Sequence, residues 1–326
     1  MRASLLLLSA AALAGCDTLS YYGQAAGGQL ALSARARPVA QVLADPQTPD
    51  ALKQRLRAAV GIREFAVREL GLPDKGSYRS YAGLERRYVL WNVVAAPEFS
   101  LEPVQSCFPI AGCVAYRGYY AKADAERYAA ARRAESDDVI VYGVPAYSTL
   151  GWFDDPLLST FIDYPDAELA RLMFHELAHQ VVYVKDDSTF NESFAVTVER
   201  EGLKRWRAAT GREAGAPRKE EFAALVESTR KTLQALYRSG IAPEEMRRRK
   251  REALAPLKPW LGRTRGFEAA EPNNALLASY ATYTGLVPMF ERLLAEEHGD
   301  LRAFYARVKG LASERSSRDP SSAPRR

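Results

Sequence analysis

The chain has 326 residues, of which 47% are hydrophobic and 26% charged, a balance that fits a globular protein with a full core and excludes disorder as the main state. The net charge of +5 is mild. The basic run at residues 247–251 is better explained as a solvated helix face than as a binding surface, with anionic lipid headgroups as the weaker alternative.

The N-terminus has the features of an export signal. Met1-Arg2 precedes a leucine- and alanine-rich core that is too short to span a bilayer, so we predict a signal peptide at residues 1–15. The segment ends Leu13-Ala14-Gly15-Cys16, which resembles the bacterial lipobox. Lipidation of Cys16 would anchor the protein to the periplasmic side of a bacterial membrane, and Asp17 slightly favours the inner membrane. The alternative is an ordinary cleaved signal with an incidental cysteine. Export argues against a nucleic-acid partner.

The segment after Cys16 is rich in small and polar residues. We predict a lipidated N-terminus and tether at residues 16–40, although residues 30–36 could begin a helix. The body is predicted at residues 41–312. Its first part, between Thr48 and Leu70, has apolar residues at near-helical spacing and should form one or two helices that end at Gly71.

A small mixed β-sheet is predicted at about residues 78–148. Residues 88–94, 114–120 and 138–143 are rich in β-branched and aromatic residues and predict strands, whereas residues 124–134 predict a helix. Helices predominate after residue 148, which indicates an α+β fold. Cys107 and Cys113 flank a turn between the first two strands. In an oxidising compartment such a pair predicts a disulfide.

The central motif is His175-Glu176-Leu177-Ala178-His179, inside a helix that should begin near Pro165. Residues four apart lie on one face of a helix, so the two histidines can bind one zinc ion. Glu176 is rotated about 100° from His175 and can reach a water on that ion as the general base. A lone motif of this length also arises by chance, but two of only three histidines stand here.

The third zinc ligand is predicted to be Glu192. It lies on the next helix, after a turn at residues 185–187, whereas the remaining histidine, His298, is distant in the sequence. The metal helices should cover about residues 165–207. Two histidines and a glutamate define the gluzincin arrangement. Glu199 is a possible outer partner of a ligand histidine, with a solvent-facing role as the favoured alternative.

The C-terminal region is predicted to be helical at about residues 218–312, with a loop at 262–272 and a disordered tail at 313–326. Tyrosines in this region could donate a hydrogen bond to the oxyanion of a hydrolytic transition state. Tyr283 is the candidate and Tyr280 the second choice, and core packing explains either equally well. In zincin-like peptidases an edge strand before the metal helix pairs with substrate, a role that fits residues 139–148, including Ala146 and Tyr147.

The chain resembles a family of bacterial zinc aminopeptidases, mostly lipoprotein-like. The resemblance rests on residues 147–153, the stretch Phe174-His175-Glu176-Leu177-Ala178-His179-Gln180, and Phe190-Asn191-Glu192-Ser193-Phe194-Ala195, and on short matches between residues 273 and 288. It implies zinc-dependent peptide hydrolysis, with His175, His179 and Glu192 as ligands and Glu176 as base. An aminopeptidase must also hold the substrate ammonium, for which Asp154 or Asp155 is the candidate.

Two other functions use the same residues. An envelope endopeptidase would share the metal site but have an open-ended groove. A non-catalytic interaction lipoprotein would need only a structural zinc. Glu176 argues against the latter, because a structural zinc site usually closes its fourth position and needs no base beside it.

Overall fold

The computed structural model describes residues 19–108, 112–211, 217–264, 266–268 and 270–317. The predicted signal peptide and Cys16 lie outside these ranges. Within them, helices predominate and the strands form small sheets, which confirms the α+β class. No helix in the described ranges is long and apolar enough to span a bilayer.

The segment predicted as a tether is helical at residues 19–33, here helix α1. Its Gln24 side chain donates to the carbonyl of Gly118 and accepts from the N–H of Tyr120, which fixes the helix to the body. β1 (Arg37–Pro38), α2 (Val39–Ala44) and α3 (Asp50–Arg68) follow. The chain turns after α3 at Gly71, whose φ of 65° suits glycine.

The central sheet is antiparallel throughout, with strand order β6-β3-β7. It contains β3 (Leu90–Ala96), β6 (Arg117–Tyr119) and β7 (Asp138–Val144). Mixed pairing occurs instead in a second sheet, where β2 (Ser80–Ala82) runs antiparallel to β1 and parallel to β8 (Leu157–Leu158). The single mixed sheet predicted at residues 78–148 is therefore wrong, because β2 belongs to this second sheet whereas β3, β6 and β7 form the central one.

The predicted disulfide between Cys107 and Cys113 is present. It joins β4 (Ser106–Phe108) to β5 (Gly112–Val114), which form a hairpin of their own. The strand predicted at residues 114–120 is consequently broken, because β5 pairs with β4 whereas Arg117 of β6 pairs with Val93 of β3.

Helices cover both faces of the central sheet. α4 (Lys122–Ala134) packs on the face that carries Val93 and Val139. α10 (Asn274–Thr284) packs on the opposite face, which carries Val94 and Tyr142. This alternation follows from the two-residue period of a strand. α10 also packs against α6 (Ser188–Thr210), and so connects the sheet to the region of the histidine motif.

The remaining helices complete the core. They are α5 (Asp166–Ala178), α7 (Pro217–Tyr237), α8 (Pro243–Leu254), α9 (Lys258–Leu261), α11 (Val287–Glu296) and α12 (Leu301–Ser317), with a 3-10 turn at Ala255–Leu257. α12 extends five residues into the segment predicted as disordered, so residues 313–317 are helical. The rest of that tail lies outside the described residues.

α5 and α6 make the most extensive contact between elements, and Gly202 permits their close approach. A Cβ at Gly202 would lie 2.7 Å from Leu70 Cδ1 and 2.9 Å from Phe174 Cδ2. Phe174 directly precedes the first histidine of the motif. The close spacing between α5 and α6 therefore depends on the absence of a Cβ atom at Gly202.

We expect Gly202→Ala to lower the free energy of unfolding by about 1–3 kcal/mol, because the added methyl group overpacks this contact. Gly310→Ala is the matched control: Gly310 lies within α12 with nothing within 4 Å of an added Cβ, and the same change should raise stability by roughly 0.5–1 kcal/mol. Urea unfolding of both variants measures the difference. Equal effects would contradict a special role for Gly202.

Candidate metal centre

The last turn of α5 carries the histidine motif. Pro165 is the N-cap of the helix, and Asp166 and Glu168 lie in the first turn, where negative charge is favourable. His175 lies in the last turn and His179 is the C-cap residue. The predicted start of the helix near Pro165 is confirmed.

The turn after α5 is held against α6 by two side chains. Asp187 caps α6 by accepting from the N–H of Phe190 at 2.9 Å. Asn191 accepts from the N–H of Val184 and donates to its carbonyl, each at 2.8 Å. Glu192 follows directly, so these bonds set where its carboxylate lies.

The three predicted ligands converge. Glu192 Oε2 lies 3.3 Å from His175 Nε2 and 3.6 Å from His179 Nε2, and the three potential ligand atoms lie within 4.8 Å of one another. A tetrahedral zinc with bonds of about 2.0–2.1 Å places its ligand atoms roughly 3.3 Å apart. All three residues have little exposure to solvent. The donor set and its spacing therefore fit a tetrahedral cation.

Glu199 contacts the ring nitrogen of His175 that does not face Glu192. Its Oε2 lies 3.0 Å from His175 Nδ1, and because a carboxylate only accepts, the Nδ1 proton points to Glu199 and Nε2 faces Glu192. Arg171 donates to the other oxygen of Glu199 at 2.7 Å. Glu199 is 8% exposed, so the favoured prediction of a solvent-facing role was wrong, and its carboxylate contacts His175 as the alternative expected.

The pKa values of the two histidines are shifted in opposite directions. Burial lowers the pKa of His175, but hydrogen bonds to Glu192 and Glu199 outweigh it and raise the pKa to about 10. Burial lowers the pKa of His179 to about 4. Burial would raise the pKa of Glu199, yet Arg171 and His175 lower it to about 2. Glu192 and Glu199 are thus ionised at neutral pH and His175 is protonated, so a cation bound by this cluster would displace the Nε2 proton of His175.

Glu176 lies beside these ligands without being one of them. Burial raises the pKa of its carboxyl, the charge of His175 opposes this and that of Glu192 adds to it, and the result is a pKa of about 7. A carboxylate with a pKa near neutrality can accept and release a proton at physiological pH. The geometry places this group next to the ligand cluster, as the motif predicts.

Tyrosines form the side of the site that faces α10 and the sheet. The Tyr283 ring stacks on the His175 ring, with centroids 6.1 Å apart, and Tyr283 shares a hydrogen bond with Tyr142. Tyr280, the second choice, packs against Phe222 and lies within electrostatic range of Arg200 and Glu227 instead.

Sequence reasoning missed two of these tyrosines. Tyr142 and Tyr116 both lie within electrostatic range of Glu192, and Tyr116 also of Glu176. No local pattern marks them, because pairing between distant strands brings them to the site.

The residues predicted to bind substrate have mixed surroundings. Ala146 is buried, and the Tyr147 hydroxyl bonds to the Tyr120 hydroxyl at 2.6 Å and to Gln29 of α1. Asp154 is exposed, whereas Asp155 is buried and accepts from the backbone and side chain of Thr149.

The proposed edge strand, β7, is already bonded along part of its outer side. The N–H of Gly143 donates to the carbonyl of Gly266 at 3.2 Å, and the Asn273 side chain donates to the carbonyl of Val139 at 3.1 Å. Fewer of its main-chain groups therefore remain for a substrate strand than the prediction assumed.

We expect Glu199→Gln to weaken binding of added zinc by roughly 10- to 100-fold, because one of the two oxygens that accept from Arg171 and His175 becomes an NH2 group that cannot accept. Competition with a chelating dye measures the affinity. Glu201→Gln is the matched control, since Glu201 lies on the same helix but bonds to Arg205. Unchanged affinity in Glu199→Gln would show that His175 needs no such support.

Comparison with known proteins supports a peptidase. A sequence profile of the family described as "Putative aminopeptidase" matches residues 20–321. No curated protein and no solved structure matches the chain. The match includes His175, Glu176, His179, Glu192 and the surrounding helices. On this evidence the chain belongs to the "Putative aminopeptidase" family.

Proposed function

We propose that this protein is a zinc-dependent aminopeptidase of the zincin-like, gluzincin type. The observation that carries the proposal is the convergence of His175, His179 and Glu192 on one buried point beside Glu176. Family membership supports peptide hydrolysis. A purely structural zinc site would not require the adjacent carboxylate, and it would usually supply a fourth ligand.

Zinc is the metal we favour. Two imidazoles and one carboxylate form a recurrent set of catalytic zinc ligands, which leaves a fourth position for water or substrate. Oxygen-rich sites suit calcium or magnesium better, and this site has two nitrogen donors. The contact of His175 with Glu199 is the usual outer support of a zinc-bound histidine.

The chain's own residues account for the proton movements. Zinc, when bound, would polarise the peptide carbonyl and lower the pKa of water. The Glu176 carboxylate accepts the proton of the attacking water and returns it to the leaving amine. The hydroxyl of Tyr283, whose ring stacks on that of His175, is our candidate donor to the oxyanion. Asp155 and Asp154 remain candidates for holding the substrate ammonium.

We also propose that the protein acts outside the cytoplasm as a lipoprotein anchored through Cys16. The disulfide between Cys107 and Cys113 supports an oxidising compartment. Cys16 precedes the described part of α1 by three residues, so an acyl anchor there would hold the body near the membrane surface. Peptides at that surface would be the substrates.

Glu176→Gln should abolish hydrolysis, with a loss of at least about 100-fold, because the amide cannot accept the water proton. Zinc content measured by atomic absorption should be unchanged, since Glu176 is not a ligand. Glu201→Gln again serves as control and should keep full activity. Full retained hydrolysis by Glu176→Gln would overturn the assignment of the base.

The exopeptidase part has its own test. Short peptides with a free N-terminus should be cleaved one residue at a time, whereas N-acetylated peptides of the same sequence should be inert. Mass spectrometry of the products, with and without a chelator, locates each cut. Chelator-sensitive cleavage inside acetylated peptides would instead identify an endopeptidase.

A further inference from the structure

Two adjacent aromatic side chains are exposed at the tip of one loop. Trp152 is 77% exposed and Phe153 51%, and the other large exposed hydrophobic side chains of the described ranges are Leu19, Leu30 and Tyr183. Burial of these rings against a ligand would remove a large apolar surface from water, which favours binding. Clustered exposed apolar surface of this kind commonly marks a binding site.

The loop that presents them is tightly hydrogen-bonded. The backbone N–H and the hydroxyl of Thr149 donate to the two carboxylate oxygens of Asp155, at 2.9 and 2.8 Å. The N–H of Phe153 donates to the Thr149 hydroxyl, and that of Trp152 donates to the Thr149 carbonyl. The aromatic tip is therefore held in place, which lowers the entropy lost on binding.

This loop lies beside the catalytic end of α5. A Cβ at Gly151 would lie 3.7 Å from Cδ of Gln180, the residue that follows His179. At the other end of the loop, the carboxylate of Asp155 interacts electrostatically with that of Glu176. One end of the loop thus contacts the residue after a proposed ligand, and the other lies within electrostatic range of the proposed base.

A third exposed aromatic residue lies on the turn between α5 and α6. Tyr183 is 38% exposed and lies within electrostatic range of Glu192. Aromatic surface therefore occurs on two segments that adjoin the same metal centre. If these aromatic side chains bound no ligand, they would have no reason to lie beside the metal centre.

We propose that Trp152 and Phe153 form the specificity surface of the peptidase, which binds a large apolar side chain of the peptide substrate. The inference rests on the proposed function and names its substrate class as peptides with residues such as Leu or Phe beside the cleaved bond. Aromatic rings supply a large contact area with few rotatable bonds, which suits selection of such side chains.

The test compares matched peptides that differ only in Phe or Ala next to the cleaved bond. Trp152→Ala and Phe153→Ala should each lower kcat/KM for the Phe peptides by roughly tenfold more than for the Ala peptides. Leu30→Ala is the control, because Leu30 is 66% exposed and lies on α1. Its preference for Phe over Ala should equal that of the wild type.

Binding measured without turnover separates this inference from the proposed function. Calorimetry on zinc-loaded Glu176→Gln should show tighter binding of the Phe peptides, and the advantage should vanish when Trp152 and Phe153 are also replaced by Ala. This difference in binding is measurable even if the wild type hydrolyses no peptide. A lack of hydrolysis would contradict the proposed function but not this inference.

An unchanged preference for Phe in the aromatic variants overturns the proposal. So does an equal loss for Phe and Ala peptides. If the variants instead detach from vesicles of phosphatidylglycerol while keeping their peptide preference, the aromatic tip belongs to a membrane surface and the proposal is overturned as well.

Discussion

The site depends on the burial of charged groups between α5 and α6. Glu192 and Glu199 are both less than a tenth exposed, and each is paired with an imidazole of the histidine motif. Burying a carboxylate is costly unless its partners are fixed. The bonds of Asn191 to Val184, the cap at Asp187 and the close approach at Gly202 all fix the two helices that carry these partners. The rest of the fold, through α10 and the central sheet, closes the site from the other side.

The convergence of His175, His179 and Glu192 could be predicted from the sequence because the geometry that unites them is local. Helical periodicity places His175 and His179 on one face, and a short turn returns the chain with Glu192. Glu199 was harder, since a glutamate seven residues after Glu192 can face either solvent or the core. The partners Arg171 and His175 decide the matter, and only the packing of α5 on α6 reveals them.

Non-local features were predicted less well. The strand at residues 114–120 is broken because the disulfide hairpin and the central sheet each take one half of it. The tether is helical at residues 19–33 because it contacts Gly118 and Tyr120, which are far away in the sequence. Tyr116 and Tyr142 reach the site for the same reason. In each case a contact between distant segments outweighs local composition.

The short sequence distance within the candidate metal centre affects when a metal ion could bind to the chain. His175 and Glu192 are 17 residues apart, and Glu199 lies only 24 residues from His175. Contacts this local form early when a chain folds. An unfolded chain that already holds these ligands close together can capture zinc, and any such binding reduces the stabilisation that the metal gives to the folded state. Metal binding by this cluster would then precede formation of the central sheet.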